Sequence, residues 1–165
     1  MNKAFNPQFW VAMAEQIAKA STCRVEVGCV IVRRNELVGA GYVGSVSGEE
    51  HCQDVGCLFV ETTVTGHEEK KRSCIRTVHA EMNAVLRCMA RGSERDGWLT
   101  AYATHAPCLN CLKALLQIGV REVWFRNPYR DAWRDELLVA MDKTMFFVDE
   151  DGLTRWSFNR GGGGR

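Results

Sequence analysis

The sequence predicts an α/β fold built on a mixed sheet. Two observations carry this. An antiparallel hairpin opens the chain's first apolar stretch, and from Ala80 onward helical and strand patterns alternate. The chain has 165 residues, 46% of them apolar, which suits one domain with a substantial core.

The elements follow in order. Asn6 before Pro7 reads as a cap and first helical residue, and Trp10, Met13, Ala14 and Ile17 then recur at helical spacing, giving a helix over 7–20. Val27 to Arg33 and Leu37 to Tyr42 read as two strands joined by the turn "RNE". From Val43 to Val78 little periodicity is visible, and "GHEEKKRS" reads as a solvated loop tip. A long irregular segment in a compact domain is usually functional or stapled by metal. A helix follows over Ala80–Arg91 with Val85, Leu86 and Met89 facing inward, stopped by Gly92. "WLTAYAT" is a strand, Cys108–Ile118 a helix closed by Gly119, "EVWF" a strand, Trp133–Met141 a helix and Thr144–Val148 a last strand. This alternation implies parallel pairing after the hairpin. We expect a single domain over 1–160, with a cysteine-rich insertion at about 43–78 and a flexible glycine tail at 161–165.

A formal charge of +1 gives no global attraction to nucleic acid or to anionic membrane, and no apolar run reaches the roughly 20 residues of a membrane span. The N-terminus lacks a signal-peptide pattern, so a cytoplasmic protein is expected (host cytoplasm if phage-encoded). In that compartment, eight cysteines point to metal ligation or catalysis rather than disulfides.

Cys108 and Cys111 lie one helical turn apart at a helix start, where the helix dipole favours thiolate. His79 stands at another helix start, with Glu81 two residues on. Taken alone, each residue has an ordinary reading: a redox pair or unrelated core thiols, a capping histidine, a glutamate complementing a dipole. Together, His79, Cys108 and Cys111 supply three ligands for Zn²⁺ and leave a fourth position for water, the catalytic pattern. Glu81 is then placed to move protons.

The pattern His79-Ala80-Glu81 with Pro107-Cys108-Leu109-Asn110-Cys111 resembles the H-x-E and P-C-x-x-C signature of the zinc nucleobase deaminases. "RVEVGCVIV", "GAGYVGS" and "HCQDVGCL" are similar to stretches of the deoxycytidylate (dCMP) deaminase branch of the cytidine deaminase-like superfamily. The resemblance covers roughly residues 8 to 140. It implies a three-layer α/β/α fold with a five-stranded mixed sheet, and hydroxide attack at C4 of cytosine with ammonia released. The product would be dUMP for thymidylate synthesis, with Glu81 protonating ring nitrogen and leaving amine. It also implies a homo-oligomer, commonly a hexamer, with dCTP and dTTP as effectors.

The family's GYNG asparagine matches Val43, so a 5-substituted dCMP is a conceivable substrate. Arg24 matches a family arginine and is the first candidate for substrate phosphate. Ser45, Ala80 and Tyr129 are further substrate-binding candidates. Cys52, Cys57 and Cys74 with His67 or His51 could form a second, closed zinc site, as related enzymes carry in this region. Cys23, Cys29 and Cys88 lie in apolar patterns and read as core. Competing readings are a deaminase of tRNA adenosine or of a small heterocycle, and a catalytically dead zinc-binding interaction module. Near-neutral charge and the cysteine-rich insertion weigh against a polynucleotide substrate, and Glu81 weighs against the dead module.

Overall fold

The computed structural model describes residues 6–63, 66, 70–92, 98–141, 144–148 and 151–158. Helix α1 (Pro7–Ala18) starts as expected, with the Asn6 side-chain oxygen accepting from the Gln8 amide at 2.9 Å. Strands β1 (Gly28–Arg33) and β2 (Glu36–Tyr42) form the antiparallel hairpin. Arg34 and Asn35, at φ 48 and 65, make its two-residue turn, the conformation that matches the natural strand twist.

The insertion is more regular than its sequence suggests. It contains β3 (Gly44–Ser45), α2 (Cys52–Val55), β4 (Phe59–Thr63), β5 (Lys70–Cys74) and β6 (Thr77–Val78). β4 and β5 pair as a hairpin, and β3 pairs with β6. Lys70 to Ser73, expected in a solvated loop tip, therefore lie in a strand. These strands carry polar residues on both faces, so period-2 hydrophobicity cannot reveal them.

Next come α3 (Ala80–Ala90), β7 (Leu99–His105), α4 (Leu109–Gln117), β8 (Val120–Asn127), α5 (Ala132–Ala140), β9 (Thr144–Val148) and β10 (Thr154–Phe158). The main sheet has the order β2-β1-β7-β8-β10-β9, six strands where five were expected. β7 and β8 are parallel, as the alternation implied. Beyond β8 the expectation fails: β10 inserts antiparallel between β8 and β9, and β9 becomes the edge.

Alternating strand residues feed two cores. Val30, Val32 and Tyr102 pack under α1 with Trp10, Val11 and Ala14, whereas Cys29, Ile31, Ala101 and Ala103 face α3 and α4. The result is the expected three-layer α/β/α arrangement. The inward face of α3 differs from expectation. Val85 is buried, but Leu86 and Met89 are exposed, and Ala80, Ala84 and Cys88 make the contact. The cause is proximity. A Cβ on Gly41 would collide with the Ala80 carbonyl, and one on Gly39 would come within 2.5 Å of the Ala84 carbonyl. Only small residues fit where α3 lies this close to β2. No described helix is long and apolar enough to cross a membrane.

Candidate metal and substrate site

His79 is the N-cap of α3 and Cys108 the N-cap of α4, and neither side chain caps its own helix. Both are turned toward each other. The Cys108 and Cys111 sulfurs each lie 3.5 Å from His79 Nδ1. Tetrahedral zinc with Zn–S near 2.3 Å and Zn–N near 2.0 Å would separate these atoms by about 3.6 Å. The three donors thus fit zinc without rearrangement, leaving one position open.

Glu81 sits in the first turn of α3 and is 4% exposed. Burial pushes its carboxyl up to about 7. The Cys108 thiol is drawn down to about 4 by its hydrogen bond with Cys111, against the opposing effect of burial, and by His79. The same proton shared with Cys108 drives Cys111 upward, and contact with Cys108 raises His79. One thiolate is already favoured before any cation arrives.

The capping that Cys108 does not give α4 comes from elsewhere. Asp131, the N-cap of α5, accepts from the Leu109 amide at 3.0 Å through Oδ2 and from the Arg134 amide at 3.1 Å through Oδ1. Oδ2 also pairs with Lys71 of β5 at 3.1 Å. Arg134 then donates to the Pro107 carbonyl at 3.1 Å. Asp131 and Arg134 thereby hold the turn that carries the two cysteines.

A cavity of about 280 Å³ opens onto His79, Glu81 and Cys108. Of the candidate substrate residues, Arg24, Val43, Ala80 and Tyr129 line it, and Ser45 does not. Ser45 lies on β3, its hydroxyl buried without a partner among the described residues. The sequence reading missed His105, Phe59 and Arg72, which also line the cavity. His105 directly precedes "APC", a position that could have flagged it. Burial lowers its pKa and keeps it neutral. The Thr104 hydroxyl accepts from the Gly28 amide at 3.2 Å and lies at hydrogen-bond distance, 3.0 Å, from His105 Nδ1.

A second cluster lies in the cavity wall. The Cys23, Cys52 and Cys57 sulfurs fall within 4.8 Å of one another, and Cys74 Sγ is 3.7 Å from Cys52 Sγ. Four thiolates around tetrahedral zinc would be separated by about 3.8 Å, a spacing that Cys74 shows to Cys52, although it stands outside the group of three whose sulfurs all lie within 4.8 Å of one another. Cys23, expected as plain core, completes this set. His51 instead contacts the Thr22 hydroxyl at 2.9 Å, and His67 lies outside the described residues. Cys29 and Cys88 are fully buried in the core, as expected.

Residues 45–127 match the model of the cytidine and deoxycytidylate deaminase zinc-binding region. ComE operon protein 2 of Bacillus subtilis is 39% identical over 148 residues, covering 88% of this chain and 72% of that protein. A deoxycytidylate deaminase of Schizosaccharomyces pombe is 34% identical over 80% of this chain, which spans only 40% of the yeast enzyme's length. Among solved structures, the dCMP deaminase of cyanophage S-TIM5 in complex with dCMP and dUMP matches with a TM-score of 0.60 and 27% identity. That match covers 81% of this chain and 89% of the phage chain.

Proposed function

The chain belongs to the cytidine and deoxycytidylate deaminase family, and on that footing we propose that it hydrolyses dCMP to dUMP and ammonia. The substrate assignment is supported by the likeness to the fission yeast enzyme and to the phage enzyme complexed with dCMP and dUMP. One observation carries the reading: a buried carboxylate, Glu81, shares a cavity with His79 and Cys108, two members of a three-donor set that leaves one metal position open.

His79, Cys108 and Cys111 would hold the zinc, which when bound lowers the pKa of water and so makes a nucleophile available at neutral pH. Glu81 takes a proton from the attacking water and gives it to N3 of the base. It then delivers the second water proton to the amine leaving C4, which departs as ammonia as the C4 carbonyl forms. Water's oxygen stays on the base and both its protons are accounted for. The His105 ring and the backbone around Ala80 offer polar contacts to the base, and Val43 offers an apolar wall. That wall leaves room in the reading for a 5-substituted dCMP.

The cluster of Cys23, Cys52, Cys57 and Cys74 would hold a second zinc with no open position, hence a structural one. Supply of dUMP for thymidylate synthesis, dCTP and dTTP control, and a homo-oligomer, a hexamer included, belong to the same reading. Effector titration and sizing in solution test the last two.

The primary test is Glu81→Gln. The variant should keep its zinc and lose about 10²–10⁴-fold in ammonia release from dCMP. Release at the wild-type rate would remove Glu81 from its role. A panel of dCMP, 5-methyl-dCMP, deoxycytidine and tRNA fixes the substrate, and a wild type silent on dCMP rejects the assignment.

A further inference from the structure

The β4–β5 hairpin does more than wall the cavity. At the mouth, the Arg72 guanidinium carbon lies 3.9 Å from the centroid of the Phe59 ring, and that of Arg24 lies 5.4 Å from the same ring. Both arginines are exposed, and among the described residues neither forms an ion pair. Glu61 stands opposite Arg72 across the hairpin, but no ion pair joins them, and two cations held against one aromatic ring with no bonded carboxylate among the described residues favour an anion as third party.

The placement of the group is built into the chain. Arg24 directly follows Cys23. Phe59 is two residues beyond Cys57 and pairs across strands with Cys74. Arg72 is two residues before Cys74 on β5 and so projects from the same face, toward the Phe59 side. The four-thiol cluster thus anchors all three residues at short range. Lys71, between them in sequence, points elsewhere and is taken by Asp131.

Glu81 and two of the zinc donors, His79 and Cys108, line the same cavity as this pair of guanidinium groups. A ligand with its base at the donors and a dianionic group at the arginines would meet both. A nucleoside has nothing for the second. Guanidinium forks suit phosphate because they donate two parallel hydrogen bonds.

We propose that Arg72, reaching from the β4–β5 hairpin beside Arg24, is a further contact for the 5′-phosphate of the substrate. This rests on the deaminase reading above.

The test uses zinc-loaded full-length protein and the variants Arg72→Gln and Arg72→Lys. Arg72→Gln should raise KM for dCMP about 10–100-fold, the range of one charge-assisted hydrogen bond. The loss should fall on KM rather than kcat, and the preference for dCMP over deoxycytidine should shrink by the same factor. Arg72→Lys should recover part of it. A KM for dCMP that stays within about twofold of wild type overturns the assignment. Calorimetric titration with deoxyribose 5-phosphate separates this from failure of the deaminase reading. If the wild type does not turn over dCMP, that reading falls. Loss of sugar-phosphate binding in Arg72→Gln would still uphold the phosphate role, and unchanged binding, or none in wild type, would reject it.

Discussion

Asp131→Ala should destabilise the protein by the loss of two caps at once, because one side chain caps two helices. Its two oxygens accept from the Leu109 and Arg134 amides at 3.0 and 3.1 Å, and the residue is 5% exposed. Removing a helix cap costs about 1 kcal/mol, with a range of roughly 0.5–2. Two caps give about 2 kcal/mol, and the pairing with Lys71, itself partly exposed, adds about 0.5. At about 2–4 °C per kcal/mol for a chain of this size, Tm should fall by about 5–10 °C. Circular dichroism melting of the zinc-loaded protein measures it. Asp131→Asn is the sharper variant. It retains one acceptor oxygen, so it can cap one helix but not both, and should lose about half as much. A Tm for Asp131→Ala within about 1 °C of wild type would refute the double cap. So would an asparagine variant as damaged as alanine. Because the Leu109 amide opens the turn bearing Cys108 and Cys111, the alanine variant should also yield zinc to a chelator faster.

Asp131 predicts an acid response as well. Hydrogen bonds from Leu109, Arg134 and Lys71 outweigh its burial and hold its carboxyl below the ordinary 3.8. The folded state thus binds this proton less readily than the unfolded one, so the stabilisation is present above about pH 4 and is lost as pH falls through the folded pKa. Denaturant melts at stepwise lower pH should show wild type converging on Asp131→Asn below about pH 4, and parallel curves would contradict this. Gly41→Ala should cost about 1–3 kcal/mol, since its methyl meets the Ala80 carbonyl next to Glu81, and a Tm equal to wild type would deny the close approach. Cys52→Ser should drop metal content from two zinc ions per chain to one while His79, Cys108 and Cys111 keep theirs, and elemental analysis giving one ion in wild type would reject the second site. Val43→Asn should lower turnover of 5-methyl-dCMP relative to dCMP in a competition assay, and an unchanged ratio would remove Val43 from base selection.

What could be read from the sequence depended on how far apart the cooperating residues lie. Helix α1, the first hairpin and the parallel β7–β8 pair follow from local periodicity and turn chemistry, and all are present. The missed strand β10 did carry a signal: in "TRWSF", Trp156 and Phe158 are buried and alternate with half-buried polar residues. On α3, side-chain size is a poor guide to burial, since Leu86 and Met89 are exposed and Ala80, Ala84 and Cys88 are buried. Gly39 and Gly41 reverse that guide, and they lie on another element about 40 residues away in sequence, a separation no helical wheel spans.

The same distinction separates the chemistry of the site from its selectivity. Zinc needs a few specific atoms, and a helix start supplies them within one turn, so His79, Glu81, Cys108 and Cys111 stand out as short patterns. Cys23 did not, because what distinguishes it from Cys29 is not its own neighbourhood but the arrival of Cys52, Cys57 and Cys74 from the insertion. Arg72 was hidden for the same reason: in sequence it is one basic residue in a charged run, and only the pairing of Phe59 with Cys74 brings it to the cavity. The thiol cluster and the arginine pair therefore rise or fall together. If the four thiols fix the hairpin, loss of their metal should weaken nucleotide binding before it touches the proton transfers at Glu81, because the hairpin contributes no donor to the His79, Cys108 and Cys111 set.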